Sequence, residues 1–178
     1  MATATQTEIV AYGTVGTDIT AQMVSDSLSV VGPDADVIMR VSSNGGSVFE
    51  GFAIYNRLKQ HKGHVVVKID GAAMSAGALI AMAGDEIWMA GNAMMFLHDA
   101  LNDGGGNAQE HRAQAALLDQ LSDNIAGIFA ERTGRPKAQI ARMMSEETWM
   151  NAEDAKRLGF VDALTEETAI AAEFDYTS

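Results

Sequence analysis

Ser75 is the side chain in this sequence best placed for nucleophilic chemistry. It lies in residues 68–84, KIDGAAMSAGALIAMAG, where a predicted strand ending at Ile69 and Asp70 leads through very small residues into a short apolar helix. A serine in the first turn of a helix has unpaired backbone N–H groups beside it and experiences the positive end of the helix dipole. This setting suits the stabilisation of an oxyanion beside the hydroxyl. The stretch alone, however, favours a structural N-cap at a tightly packed turn.

A serine nucleophile requires a general base, and the sequence holds four histidines that could serve. His61 and His64 flank a predicted helix-to-strand turn, so we expect them to be solvated. His111 falls within a long predicted helix and is expected at the surface or in an interface. His98 directly follows the apolar segment MMFL. It is the histidine that the predicted topology places beside Ser75, although a histidine at a strand end is more often structural.

Predicted strands and helices alternate along the first hundred residues. Apolar alternation and β-branched residues predict strands at residues 8–13, 36–42, 64–70, 86–89 and 93–97. Helices are predicted at residues 18–31, 47–63 and 75–84. Thr17 or Asp18 is the expected cap of the first helix, and Ser47 with Glu50 is the expected capping box of the second. This alternation predicts an α/β fold with a largely parallel sheet.

Three candidate site elements each follow the end of a predicted strand. They are the tight turn predicted at residues 44–46 (Asn-Gly-Gly), Ser75 and His98. Ligands of parallel α/β sheets collect at the carboxyl ends of the strands. We therefore expect these three elements at one edge of the sheet, which favours a functional interpretation of Ser75.

The second half of the chain is mainly helical by its pattern. Three glycines at residues 104–106 predict a flexible or extended loop, and residues 107–133 predict one long helix with Gly134 as its stop. Pro136 is expected at the first position of the next helix, and Asn151 is expected to cap a last helix to Leu158. Residues 160–164 are expected to close the fold. The apolar stripe of the long helix indicates either core packing or a projecting oligomer arm; its members are Leu118, Leu121, Ile125 and Ile128.

The composition excludes several classes of protein. The chain has 178 residues, which suits one domain over residues 1–178, and its formal net charge is −12. Without a basic patch, neither nucleic acid nor an anionic membrane is an expected partner. The absence of cysteine excludes a thiol nucleophile and disulfides. We find no signal peptide and no apolar run long enough to span a bilayer, so a soluble, cytoplasmic protein is expected.

Five segments in the same order resemble the ClpP family of serine peptidases, most closely the ClpP-like head-maturation proteases of tailed phages. Residues 44–46 resemble the Pro-Gly-Gly turn of that family, with Asn in place of Pro. GAAMSAGALIAMAG resembles its nucleophile segment, and FLHD its histidine segment. The three glycines and the long helix resemble its glycine-rich strand and handle helix. ETWMNAEDAKRLGFVD resembles its acid-bearing segment.

The resemblance implies a role for five residues. Ser75 would be the nucleophile and His98 the general base and acid, while the N–H groups of Gly46 and Ala76 would form the oxyanion hole. The triad acid would fall on Glu147, where the founding peptidases usually have aspartate. Asp99 or Asp162 could serve in its place.

The resemblance also implies a ClpP/crotonase-like fold with a projecting handle helix and a serine endopeptidase that works through an acyl-enzyme. The expected assembly is a homo-oligomeric ring or stacked rings. Expected substrates are polypeptides, such as phage scaffold or capsid proteins or the enzyme's own precursor, in the host cytoplasm or the prohead. An extended substrate would add a strand beside residues 104–106. No metal or cofactor is implied.

Three alternative functions stay open at this point. One is an ATP-dependent ClpP-type proteolytic subunit, although only about seven residues precede the first predicted strand, which argues against an unfoldase ATPase as partner. The second is a crotonase-like acyl-CoA enzyme of the same fold, which would have no need of a Ser75–His98 pair. The third is a non-catalytic ring or scaffold subunit with a decayed triad.

Overall fold

A seven-stranded, largely parallel sheet organises residues 7–165, the part of the chain that the computed structural model describes. Five strands run parallel in the order β1-β2-β3-β4-β7. β5 pairs in parallel with the end of β3, and β6 pairs antiparallel with β5. The strands are β1 (Thr7–Val15), β2 (Val37–Gly46), β3 (Val65–Met74), β4 (Glu86–Ala90), β5 (Met94–Leu97), β6 (Thr148–Asn151) and β7 (Ala163–Thr165).

Six helices connect these strands within the described range. They are α1 (Ala21–Val31), α2 (Val48–Lys59), α3 (Ala76–Ala81), α4 (Ala108–Thr133), α5 (Lys137–Ser145) and α6 (Ala152–Leu158). The alternation of strands and helices confirms the predicted α/β fold with a largely parallel sheet. None of the helices within residues 7–165 combines the length and the apolar character needed to cross a membrane.

The two faces of the sheet differ in chemistry because successive side chains of a strand point in opposite directions. On one face, Val67 and Ile69 of β3 are fully buried with Leu58 of α2 and Leu79 of α3 in a single core. On the other face, half-buried polar side chains replace the apolar ones. The Arg40 guanidinium donates two hydrogen bonds to the Asp70 carboxylate, at 2.9 and 2.6 Å, and the Tyr12 hydroxyl donates a third at 2.6 Å.

β2 and β3 extend further than their sequences predict, and both extensions lead to the candidate site. The prediction of a tight turn at residues 44–46 is wrong, because β2 continues through these residues and Gly46 pairs with Val15 of β1. β3 likewise continues past Asp70 to Met74, where it pairs with Phe96 of β5. Pairing with neighbouring strands therefore overrides the local turn signal of the glycines.

The first two helix starts depart from prediction for an identifiable reason. Neither Thr17 nor Asp18 caps α1, since the Asp18 carboxylate accepts from the N–H of Thr14 at 2.8 Å inside the preceding turn. Thr20 is the cap and accepts from the N–H of Met23 at 3.1 Å. At α2, Ser47 caps as predicted, but the capping box is incomplete.

The Glu50 carboxylate does not accept a hydrogen bond from the backbone N–H of Ser47, the cap of its own helix. It accepts from the N–H of Ala21 at 2.7 Å, at the start of α1. The Glu50 side chain thus joins the first turns of two neighbouring helices. α2 ends at Lys59 and not near Gly63 as predicted.

The long helix α4 follows its predicted bounds. Asn107 forms a capping box with Glu110, and Gly134 ends the helix in the left-handed conformation. Leu121 and Ile125 are buried in the core, whereas residues 101–113 are all exposed. The C-terminal half of α4 is therefore core and its N-terminal half extends beyond it. Pro136 is the cap of α5 and not its first residue.

Candidate active site

Ser75 occupies a backbone conformation that L-amino acids rarely adopt. Its φ of 53° and ψ of −122° form a sharp kink between β3 and α3. Such a conformation costs about 1–3 kcal/mol and persists where the surroundings impose it. Here the N–H of Ser75 donates to the carbonyl of Phe96 at 2.9 Å, and the carbonyl of Ser75 accepts from Leu79 at 3.1 Å. The kink is therefore held from the strand side by β5 and from the helix side by α3.

Glycine is required at two positions that touch this kink. A Cβ on Gly45, whose φ is +101°, would lie 2.7 Å from the Cβ of Ser75 and 3.2 Å from its hydroxyl oxygen. A Cβ on Gly77 would lie 2.9 Å from the Cβ of Ser43. Ser43 is itself buried, and its hydroxyl accepts from the N–H of Gly45 at 3.1 Å. The end of β2 thus packs directly against the serine.

The two residues that the resemblance assigns to the oxyanion hole, Gly46 and Ala76, line the cavity that contains Ser75. Ala76 is the first residue of α3, so its N–H has no partner inside the helix. Gly46 has a φ of +141°, and a Cβ there would overlap the carbonyl oxygen of Val15. Gly46, Ser75 and Ala76 line the same cavity.

His98 also lines this cavity. It follows the last residue of β5, and because β5 pairs with the end of β3, Ser75 and His98 both line the cavity. The imidazole of His98 stacks on the ring of Phe96, with centroids 5.2 Å apart and planes 14° apart. Within residues 7–165, the histidine rings that form hydrogen bonds are those of His61 and His64. The His98 ring is therefore placed by stacking in this single chain.

The antiparallel β5–β6 ladder ends at the pair of Leu97 with Thr148, so His98 and Glu147 each lie one residue beyond that pair. Glu147 is exposed, stands in a tight turn with φ 53° between α5 and β6, and does not line the cavity. Asp99 lines the cavity. Asp162 is engaged elsewhere, since its carboxylate accepts from the N–H of Ile87 at 2.7 Å and from Arg132. Of the three candidate acids, Asp99 is the one that the single chain places at the cavity.

The cavity has a volume of about 550 Å³ and mostly apolar walls. The C-terminal half of α4 supplies Ile125 and Phe129, and the remaining apolar lining includes Phe49, Met74, Phe96, Leu101 and Trp149. Phe96 could have been found from the sequence, since it lies two residues before His98 and therefore on the same face of the strand. Trp149 could not, because β6 was not predicted. Residues 7–165 contain no group of three His, Asp or Glu side chains placed to hold a metal ion.

A kinked serine at the end of β3 and a histidine at the end of the paired strand β5 form the layout of a serine hydrolase. A family model described as Clp protease matches residues 2–168. The chain therefore belongs to the Clp protease family, and it is a serine peptidase.

Two known proteins illustrate this similarity. The ATP-dependent Clp protease proteolytic subunit 2 of Tropheryma whipplei (strain Twist) is 31% identical over 137 residues, which are 76% of this chain and 76% of that protein. A solved structure of a ClpP1 mutant from Listeria monocytogenes superposes with a TM-score of 0.81. That structure is 24% identical, and the match covers 90% of this chain and 92% of that chain. It supports the fold alone.

Proposed function

We propose that this chain cleaves polypeptides through an acyl-enzyme on Ser75, with His98 as the general base. The observation that carries the proposal is the strained kink at Ser75, which lines the same cavity as the His98 ring. Strained backbone conformations of this kind cluster at active sites. Residues 1–178 are proposed to act as one peptidase domain, which is supported by the single sheet that holds every strand of the described part.

In the proposed reaction, His98 accepts the proton of the Ser75 hydroxyl as its oxygen attacks the carbonyl carbon of the scissile bond. The carbonyl oxygen then carries negative charge, which the N–H groups of Gly46 and Ala76 stabilise. Each such donor is worth about 10²–10³ in rate. His98 returns the proton to the leaving amine, and the same steps with water release the acyl group.

Glu147 remains our proposed third member of the triad. It directly precedes β6, and β6 pairs with β5, which carries His98 at its end. The last pair of this ladder is Leu97 with Thr148, so a carboxylate at position 147 lies across the two strands from the histidine at position 98. Asp99 is the alternative, supported by its place at the cavity.

The proposed assembly is a homo-oligomeric ring, with facing rings in contact through α4. Support comes from the exposed residues 101–113, which carry the N-terminal half of α4 away from the core. Residues 98–107 have no regular structure, so a substrate strand beside the glycines would have to form on binding.

The relatives favour one biological role over another. We propose a proteolytic subunit of the ATP-dependent Clp type, because the similar Tropheryma whipplei protein carries that description. Processing of phage scaffold or capsid proteins remains a prediction from the motif resemblance, and neither relative described above supports it. Degradation of a folded protein only when an unfoldase and ATP are added would support the first role. Cleavage of a capsid precursor without either would support the second.

Labelling with a fluorophosphonate probe tests the catalytic proposal. Protein is first sized by gel filtration, and each fraction is then examined by intact mass and peptide mapping. We expect one adduct on Ser75 in the ring fraction, and none in Ser75→Ala. Ser29→Ala, which removes an exposed serine of α1, should label as the wild type does. A well-assembled ring without an adduct would contradict the proposal.

A further inference from the structure

Three aromatic rings form a continuous stack beside the candidate nucleophile. Phe96 lies between the other two: its ring is 5.2 Å from the His98 ring and 4.4 Å from the Trp149 ring, measured between centroids. The interplanar angles are 14° and 29°, so both contacts are stacked and not edge-to-face. All three residues line the cavity that contains Ser75.

The backbone makes this stack a consequence of strand pairing. Residues 96 and 98 are two apart at the end of β5, so their side chains leave the strand on the same face. Phe96 is directly opposite Trp149 in the antiparallel β5–β6 ladder. Cross-strand pairs of this kind are close enough for aromatic rings to interact. The stack therefore joins the strand that carries His98 to the strand that follows Glu147.

We propose that Phe96, supported by Trp149, is a positioning residue that sets the plane of the His98 imidazole. The inference rests on the proposed role of His98 as the general base. The torsion that turns a histidine ring is broad and does not fix the ring plane by itself. In many triads a carboxylate does so, but in the described part of this chain the His98 ring has no hydrogen-bond partner. The Phe96 ring supplies a constraint on this plane that does not depend on a carboxylate.

The stack also suits the charge that forms during the reaction. When Ser75 attacks, His98 becomes an imidazolium, and the negative face of an aromatic ring attracts a cation. Phe96 presents its face to that imidazolium, because the two rings are nearly parallel. The benefit is therefore greater in the charged state than in the neutral one, and it should affect the rate constant of the chemical step.

A different role for the two rings makes a different prediction. Because Phe96 and Trp149 line the cavity, they could instead serve as a wall that contacts the bound molecule. A wall changes the concentration at which a probe half-saturates the site. A positioning residue changes the maximal rate of the chemical step at saturation.

The test uses full-length protein in its assembled state and a fluorophosphonate whose inactivation rate is followed over a range of concentrations. We expect Phe96→Leu and Trp149→Leu to lower the maximal inactivation rate constant by about 2- to 13-fold, the range that corresponds to one aromatic pair. The half-saturating concentration should not change. Phe96→Tyr keeps the ring and should recover most of the rate. Phe52→Leu removes a partly buried ring outside the cavity and should have no effect.

A spectroscopic measurement on the same variants reports the stack itself. The chain has four histidines, and in protein labelled with [¹³Cε1]histidine the signal that is lost in His98→Gln belongs to His98. A ring stacked on Phe96 is shifted upfield by the ring current. We expect that shift to disappear in Phe96→Leu and to persist in Phe96→Tyr.

The outcomes separate this inference from the proposed function. If wild-type protein forms no Ser75 adduct, the proposed function fails, and the histidine signal then decides alone whether the stack exists. If wild type labels but Phe96→Leu labels at the same maximal rate, the positioning role is wrong. A rise in the half-saturating concentration with an unchanged maximal rate would show that the rings are a binding wall.

Discussion

Gly45→Ala is the substitution that most directly tests whether the end of β2 sets the position of Ser75. The added Cβ would lie 2.7 Å from the Cβ of Ser75 and 3.0 Å from the carbonyl oxygen of Met74. Neither neighbour is the end of a flexible side chain, so the backbone of the kink has to move. We expect a slower reaction at Ser75 and a less stable protein.

The contact sets the effect on the rate, and the backbone conformation of Gly45 adds to the effect on stability. Restoring an ordinary separation of 3.4 Å requires a shift of roughly 0.7 Å. A misplacement of about 1 Å costs about 10²-fold in rate, so Gly45→Ala should label at Ser75 about 10- to 100-fold more slowly. The positive φ of +101° adds a backbone penalty of about 1–2 kcal/mol for any side chain.

Gly32→Ala is the matched control. Gly32 has a similar φ of +98°, but nothing lies within 4 Å of the position that its Cβ would occupy. It should therefore lose only the backbone part of the stability, about 1–2 kcal/mol in urea unfolding, and label at the wild-type rate. The measurement is the rate of fluorophosphonate adduct formation by intact mass, at a temperature where both variants are folded. If Gly45→Ala labels as fast as Gly32→Ala, packing against β2 does not position the nucleophile.

Three further predictions concern the carboxylates and one tyrosine. Glu147→Gln should lower the labelling rate of the assembled ring, but by less than His98→Ala does. Glu146→Gln, at the neighbouring position, should leave the labelling rate unchanged. Asp162→Asn removes the ion pair with Arg132 and should cost about 1 kcal/mol in urea unfolding while leaving the labelling rate unchanged. The hydrogen bond that Tyr12 donates to Asp70, together with partial burial, raises the pKa of Tyr12. The stability that Tyr12 contributes relative to Tyr12→Phe should thus be complete below about pH 10 and decline above it.

Each of these has an outcome that would count against it. A silent Glu147→Gln combined with an inactive Asp99→Asn would transfer the triad role to Asp99. An Asp162→Asn variant that is stable but cannot be labelled would make that carboxylate catalytic. For Tyr12, urea unfolding curves measured between pH 7 and pH 11 should converge with those of Tyr12→Phe, and a gap that stays constant above pH 10 would show that the hydrogen bond contributes nothing.

Local sequence patterns were sufficient to predict much of the fold. The long helix was predicted over residues 107–133 and is found as α4, because Asn107 and Gly134 are capping residues whose preference depends on neighbours a few positions away. Asn151 was likewise predicted correctly as the cap of α6. The α/β class followed from the alternation of strand and helix patterns alone.

Ser75 and His98 were placed together by a rule of topology. Both follow strands of a parallel sheet, and the structure places both at one cavity with Gly46 and Ala76. The sequence could not reveal the kink at Ser75, since its φ of 53° is imposed by hydrogen bonds from β5 and α3. The catalytic roles themselves remain predictions.

The amino-acid sequence by itself determined the caps of α2, α4 and α6, the alternation of elements and the identity of the residues that can react. Only the tertiary structure decided that β2 continues through Gly46, that Trp149 stacks on Phe96, and that Asp162 binds Arg132. The physical reason is the separation along the chain between the residues that interact. Caps and periodicities depend on residues within one or two turns, whereas strand pairing, aromatic stacking and ion pairs join residues that are 30 to 53 positions apart here. Such contacts exist only once the chain has folded.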